Sequence, residues 1–421
     1  MRRRLKRIGV GLVAVGLSLT LLLAGAIPVC EAEREEERVT VGAFTALTGA
    51  LATSGVPLSY GYLDYLRRTN DHGGINGTKV RVMWEDTRCE IPRGITFYKR
   101  AKWAGAVLLL NFCTNISELL VSHLPKDELP LLQGGSISLL MITYPERWIF
   151  GGGCGLGPEA GLVMKWIKEN WAEERPPRAG IMFYDIASGW EFYRGHKYAP
   201  EVGVEFVGHE VLPLRGSIDL STELLRLAAK RPDWVLTAAT GVTLVTLIKD
   251  AKRLGMAEKG IEFCQGIGML GENIVAVVGQ DAEGWYSVST VPYATESGLP
   301  GMKAVFEAAN RYRGWKPQDV PNDYIKTWVE GQVGVEGIRL AIEKVGIENL
   351  TGTAVRDALA SIRDFDTGLI KPITMSDEWP YFATYEKIYQ VQQGEFIPVS
   401  DWIKPDWDVL SELEGEKKTL C

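Results

Sequence analysis

Histidine is almost absent from this chain. The four present, His72, His123, His196 and His209, are expected in turns or on exposed faces, and none has the spacing of zinc ligands. No metal site, cofactor or catalytic residue is therefore assigned. Clustered cations are missing beyond residue 7, and the net charge is -7, which argues against a nucleic-acid partner. There is no internal repeat and no low-complexity linker. A nucleophile elbow is missing too: Gly134-Gly135-Ser136-Ile137-Ser138 comes nearest but lacks the closing glycine.

What the chain has is length and an ordinary balance. At 421 residues it exceeds what a single core usually holds, and 46% hydrophobic with 24% charged residues is the composition of a soluble globular protein. Its start differs in kind. Met1-Arg2-Arg3-Arg4-Leu5-Lys6-Arg7 is cationic, and 8–29 carries no charge, the layout of a secretory signal. Ala24-Gly25-Ala26 offers small residues for cleavage; losing 1–26 removes five cations and takes the net charge from -7 to -12. A retained membrane anchor and lipidation at Cys30 are the alternatives. All three place the rest of the chain outside the cytoplasm. Residues 30–38 form a charged lead-in, and 409–421 a C-terminal tail.

Beyond residue 38, short apolar runs alternate with amphipathic stretches. Strands are expected at 39–44, 80–84, 106–110 and 129–132, with helices at 58–70, 93–104 and 116–124. The rhythm restarts with strands at 179–184, 204–211, 234–237 and 261–264, and helices at 190–198, 220–230 and 243–254. Such alternation predicts α/β architecture: two doubly wound parallel-sheet lobes. Gly151-Gly152-Gly153-Cys154-Gly155-Leu156-Gly157 is a plausible passage from one to the other.

Several strings then match one family in order. Val41-Gly42-Ala43-Phe44-Thr45-Ala46-Leu47-Thr48-Gly49 opens the fold. Asn70-Asp71-His72-Gly73-Gly74-Ile75-Asn76-Gly77 is a turn of type N-x-x-G-G-I-N-G, in which glycines end the helix and Asn and Asp satisfy the backbone. Trp84-Glu85-Asp86-Thr87-Arg88-Cys89 and Asp366-Thr367-Gly368-Leu369-Ile370-Lys371-Pro372-Ile373-Thr374-Met375 follow, then paired strands at 385–391 and 396–402 around Gln393-Gly394. Over about 38–405 the chain resembles the branched-chain amino acid (leucine/isoleucine/valine) binding proteins of ABC transporters, which have the type I periplasmic binding fold.

The resemblance implies a three-strand hinge, with passages near 148–152, 287–292 and 375–380. Lobe 1 is then 39–150 with 290–374, and lobe 2 is 151–289 with 375–408. It implies a disulfide between Cys89 and Cys113, which the residues alone leave open against two buried thiols. Cys154 and Cys264 are either a second disulfide or free.

The family holds a ligand carboxylate from the loops after its third and fourth strands, which points to Thr114, Asn115, Ser136 and Ser138. At a helix start such residues also serve as N-caps. In the second lobe, Ser188 stands where the family has an aromatic residue, and Trp190 partly refills the space. Ile267 stands where it has a carboxylate for the ligand's ammonium; Glu272 is a displaced candidate for that role. An unpartnered buried ammonium is costly, so a small polar solute bearing a carboxylate or amide is expected rather than an α-amino acid. The resemblance further implies a monomer that is not an enzyme, closes on a small molecule and delivers it to an ABC transporter permease. A tethered sensor of the same fold is the alternative. A dinucleotide enzyme is a weaker one, on Gly266-Ile267-Gly268-Met269-Leu270-Gly271.

Overall fold

The computed structural model describes residues 38–405 apart from 50, 136, 139, 140, 142–145, 154, 214–217 and 267. Cys30, Cys154, Ser136, Ile267, the N-terminal segment and the tail therefore lie outside the described residues.

The first run is β1 (Arg38–Thr45), α1 (Ala52–Asp71), β2 (Lys79–Asp86), α2 (Ile91–Trp103), β3 (Leu108–Asn111), α3 (Thr114–Leu120), β4 (Leu131–Gln133) and β5 (Ile149–Gly152). The second is α4 (Leu156–Glu169), β6 (Arg178–Tyr184), α5 (Ala187–Arg194), β7 (Glu205–Leu212), α6 (Ser221–Ala228), β8 (Trp234–Thr237), α7 (Gly241–Arg253), β9 (Glu262–Gln265), α8 (Glu272–Val278) and β10 (Tyr286–Ser289). Helices α9 (Met302–Arg313), α10 (Asn322–Val345) and α11 (Gly352–Ala360) follow, then β11 (Tyr381–Ala383), β12 (Lys387–Gln392) and β13 (Glu395–Pro398).

The strands form two sheets, in the orders β11-β5-β4-β3-β1-β2 and β13-β12-β10-β9-β8-β6-β7. The first is parallel throughout. The second is parallel except where β12 joins β10 and turns back into β13. Central strands such as β1 and β3 are buried along nearly their whole length, because helices cover both faces; hence their unbroken apolar runs. Along β6 the faces separate by the two-residue period. Met182 packs in one core, with Leu247 and Val278, while Ile181 and Phe183 pack in the other, with Val163.

The 70–77 turn works as its residues suggest. Asn70 Nδ2 donates to Val80 O and its Oδ1 accepts from Val80 N, each at 2.7 Å, so one side chain holds the start of β2. Gly74 has a φ of +86°, and a Cβ there would stand 2.1 Å from Thr78 O.

Three regions depart from expectation. α1 begins at Ala52 rather than 58, with Pro57 inside it. α4, α9, α10 and α11 were not anticipated. α10 crosses α1 so closely that a Cβ on Gly61 would lie 2.1 Å from Thr327 Oγ1. Lastly, the passages between sheets fall at 153–155, after 289 and at 384–386. The third lies later than 375–380 because Tyr381–Ala383 first adds to the edge of sheet one: Gly151 and Gly153 donate to Pro380 O and Ala383 O at 2.9 Å. Three residues are too few to show strand periodicity.

Candidate functional site

The carboxyl ends of β4, β5, β9 and β10 converge on a cavity of about 30 Å³ between the two sheets. Gly134, Gly135 and Ile137 line it from the loop after β4, and Gly153 and Gly155 from the loop after β5. Glu159 reaches it from the first turn of α4, Gly268 from the loop after β9, Ser289 and Thr290 from the end of β10, and Lys326 from α10. The strand ends of an open α/β sheet are where ligands usually sit. The volume is enough for one or two waters.

Side chains bridge the lobes beside this cavity. Lys326 Nζ donates to Gly268 O at 3.1 Å. Glu272, the first residue of α8, accepts from Asn322 N at 2.8 Å and Ala294 N at 3.3 Å. Asn273 Nδ2 donates to Thr53 O at 2.8 Å. Pro57 explains that last acceptor. It has no N–H to offer the carbonyl four residues back, so Thr53 O is left for the other lobe. Burial pushes the Glu272 carboxyl up to about 7 and that of Asp323 to about 6, the latter against the pull of Lys326. Glu272 is thus a seam residue rather than a displaced ligand anchor.

In lobe 1 the strand ends are pinned from behind. Cys89 and Cys113 form a disulfide, Cα atoms 5.4 Å apart, that ties the loop after β2 to α3. Asn111 Nδ2 donates to Ser117 Oγ at 2.7 Å, and Ser117 Oγ to Gln133 Oε1 at 2.6 Å. From α10, Glu330 accepts from Asn111 N at 3.2 Å; burial raises its carboxyl well above the ordinary range.

In lobe 2 one residue organises the loop after β9. Gln265 Oε1 accepts from Met269 N and Leu270 N, at 2.8 and 3.3 Å, and Nε2 donates to Ala239 O at 3.2 Å. This occupies amides that a phosphate cradle in 266–271 would need. Among the described cysteines only Cys264 is free; it is buried, and its thiol is pushed up by burial.

The expected site residues scatter around this centre. Thr114 opens α3 and is half-buried. Asn115 is exposed and structural: Nδ2 donates to Cys89 O and Oδ1 accepts from Ile116 N, both at 2.9 Å. Ser138 is buried, and its hydroxyl has no partner among the described residues. Ser188 is half-buried in the first turn of α5. Trp190 does not refill space in the cavity wall: it is 41% exposed, packs on Phe183 and Tyr193, and donates Nε1 to Asp185 Oδ1 at 2.7 Å. Ser136 and Ile267 are outside the described residues, though Gly135, Ile137 and Gly268 beside them line the cavity. His196 and His209 are partly buried against Tyr193 rather than on open faces, with ring centroids 4.4 and 4.5 Å away.

Glu159 and Lys326 were missed. A signal existed for Lys326: Asp323, Lys326 and Glu330 recur at helical spacing within an apolar segment, a polar stripe on one face. Glu159 follows the glycine-rich passage but carries no local mark. Among the described residues no cluster of three His, Cys, Asp or Glu can hold a metal, and no helix is long and apolar enough to cross a membrane.

Residues 38–395 match the family model described as periplasmic binding protein. Solved structures are similar across nearly their whole length. A branched-chain amino acid ABC transporter protein from Thermus thermophilus, with bound valine, is 20% identical; the match covers 88% of this chain and 97% of that one, with a TM-score of 0.78. A solute-binding protein of an ABC transporter from R. palustris, in complex with 4-hydroxybenzoate, is 15% identical over 89% and 100%, with a TM-score of 0.75. A fatty acid ABC transporter substrate-binding protein from Thermomonospora curvata is 17% identical over 87% and 92%, with a TM-score of 0.74.

Proposed function

The chain belongs to the periplasmic binding protein family, and from that premise we propose that it is the extracytoplasmic solute-binding component of an ABC importer. It captures a small polar solute bearing a carboxylate or amide between its lobes and delivers it, as a monomer, to a membrane permease. It has no catalytic role. The 1–29 segment exports it and is then cleaved, with or without lipidation at Cys30, or kept as an anchor. The observation that carries this reading is the cavity at the carboxyl ends of β4, β5, β9 and β10, lined from both lobes and closed by contacts such as Lys326 to Gly268 O.

The three passages between the sheets form a hinge. Opening it breaks the bridges at Gly268, Glu272 and Thr53 and enlarges the cavity; a ligand that touches both lobes restores closure. The lobe 1 loops that carry Thr114, Ser136 and Ser138, with Lys326 of the same cavity, take the acidic or amide end, and the lobe 2 loops that carry Ser188 and Ile267 take the body. The side-chain polar atoms of Asn115 and Trp190 are engaged within the protein and take no part.

A thermal-shift screen against carboxylic acids, amides, amino acids and dicarboxylates tests the proposal. A true ligand raises the melting temperature by mass action. If no small solute does so while a cofactor such as NAD does, the reading fails.

A further inference from the structure

We infer that Glu159 takes an N–H donor of the bound solute, an ammonium or an amide, opposite Lys326 on the other lobe. This assignment rests on the binding-protein reading and adds to it the polarity of the ligand.

Glu159 is 8% exposed and lines the interlobe cavity from the first turn of α4. Its carboxyl makes no side-chain hydrogen bond among the described residues. A carboxyl that faces a cavity rather than a donor of the protein is placed to take a partner that arrives from outside. Desolvation and the neighbouring Glu386 hold this carboxyl well above the ordinary range, while Lys326 pulls it down. Buried Cys264 is the other titratable group that senses it.

The position has a further meaning. Ile267 stands where resemblance to the family calls for a carboxylate, and its neighbour Gly268 lines the same cavity as Glu159. A carboxyl lost from the loop after β9 is therefore replaced from α4, at the same cavity. Lys326 faces it from lobe 1, so the cavity has an acceptor end and a cationic end. A solute with a donor group and a carboxylate or carbonyl satisfies both ends. A plain carboxylate satisfies Lys326 and pairs with Glu159 only while that carboxyl keeps its proton.

Matched probes decide the matter: L-valine against isovalerate, and benzamide against benzoate, titrated calorimetrically into the full secreted chain. The donor-bearing member of a pair should bind at least tenfold more tightly. Glu159→Gln should remove that preference while leaving the acid's affinity within about twofold. On the unaltered protein, L-valine in buffers of different ionisation enthalpy should release close to one proton, as Glu159 ionises against the ammonium. Tighter or equal binding of the acids overturns the assignment, as does an equal loss of both members in Glu159→Gln or a binding reaction without proton release. If acids bind and donors do not, the binding-protein reading stands and only this assignment falls. If no solute of any class binds, both fall.

Discussion

The two lobes bring their strand ends to the cleft by different means. Lobe 1 is braced from behind by the Cys89–Cys113 disulfide, the Asn111–Ser117–Gln133 chain and the buried Glu330 carboxyl. Lobe 2 has no disulfide among its described residues, and its loop after β9 is held by hydrogen bonds, from Met269 N and Leu270 N to Gln265 and from Ser287 and Tyr293 to Leu270 O. Lobe 1 is thus built to present fixed backbone and hydroxyl groups. Lobe 2, among its described residues, has its strand ends tied by hydrogen bonds rather than a disulfide, between Tyr184 and Thr240 and between Gln265 and its own loop, an arrangement that accommodates change in the residues facing the ligand. Replacement of expected aromatic and acidic residues by Ser188 and Ile267 falls on this second, less braced side.

Three measurements would break or sharpen the contrast. The largest effect is expected from replacing Cys89 and Cys113 together by serine. The bridge closes a segment with a sequence separation of 24, and its loss should cost about 3 kcal/mol. Urea unfolding followed by hydrogen exchange should place the loss in lobe 1; a loss below about 1 kcal/mol, or one shared equally by lobe 2, would remove the asymmetry.

Gln265→Ala should cost about 2 kcal/mol, since two loop amides and the Ala239 carbonyl lose their partner at once. Amide exchange at Met269 and Leu270 should accelerate while β3 and β4 stay protected. Unchanged protection at those two amides would mean that the loop is held by something else.

The smallest effect concerns pH and belongs to the seam rather than to either lobe. Burial pushes Glu272 up to about 7 and Asp323 up to about 6. The unfolded chain releases these protons near pH 4, so between about pH 4 and 7 the folded protein holds more protons than the unfolded one. Stability from these groups is therefore complete below about pH 4 and is lost as the pH rises through 6 and 7. Glu272→Gln should flatten the melting-temperature profile between pH 5 and 7.5. An equally steep profile in the variant would show that Glu272 does not titrate in that range.

Much of the fold was legible. Most of the α/β elements that were anticipated fall within about two residues of their expected limits, because central parallel strands are buried on both faces and cannot avoid unbroken apolar runs. Helix α4 and the 302–360 helices were not, although α10 carries an apolar segment. The hinge strand β11 was too short to read. Of the candidate site the loops were legible: Gly134, Gly135, Ile137 and Gly268, from 133–138 and 266–268, line the cavity. It was not legible in Asn115 and Trp190, whose polar atoms are spent on Cys89 O and Asp185. Residue type and loop position cannot say where a side chain's hydrogen bonds go.

Local sequence thus settled what local physics governs. The alternation of strand and helix, the turn that Asn70 and Gly74 build, and the order of family motifs all depend on residues close in the chain. The placing of Glu159 and Lys326 on one cavity, the use of Thr53 O by Asn273, and the seating of Glu272 on Asn322 do not. Those groups are brought together only when two lobes, each threaded by distant segments, fold and close. Charge, burial and unmet hydrogen-bonding capacity at such a seam are properties of packing, and they arise only there.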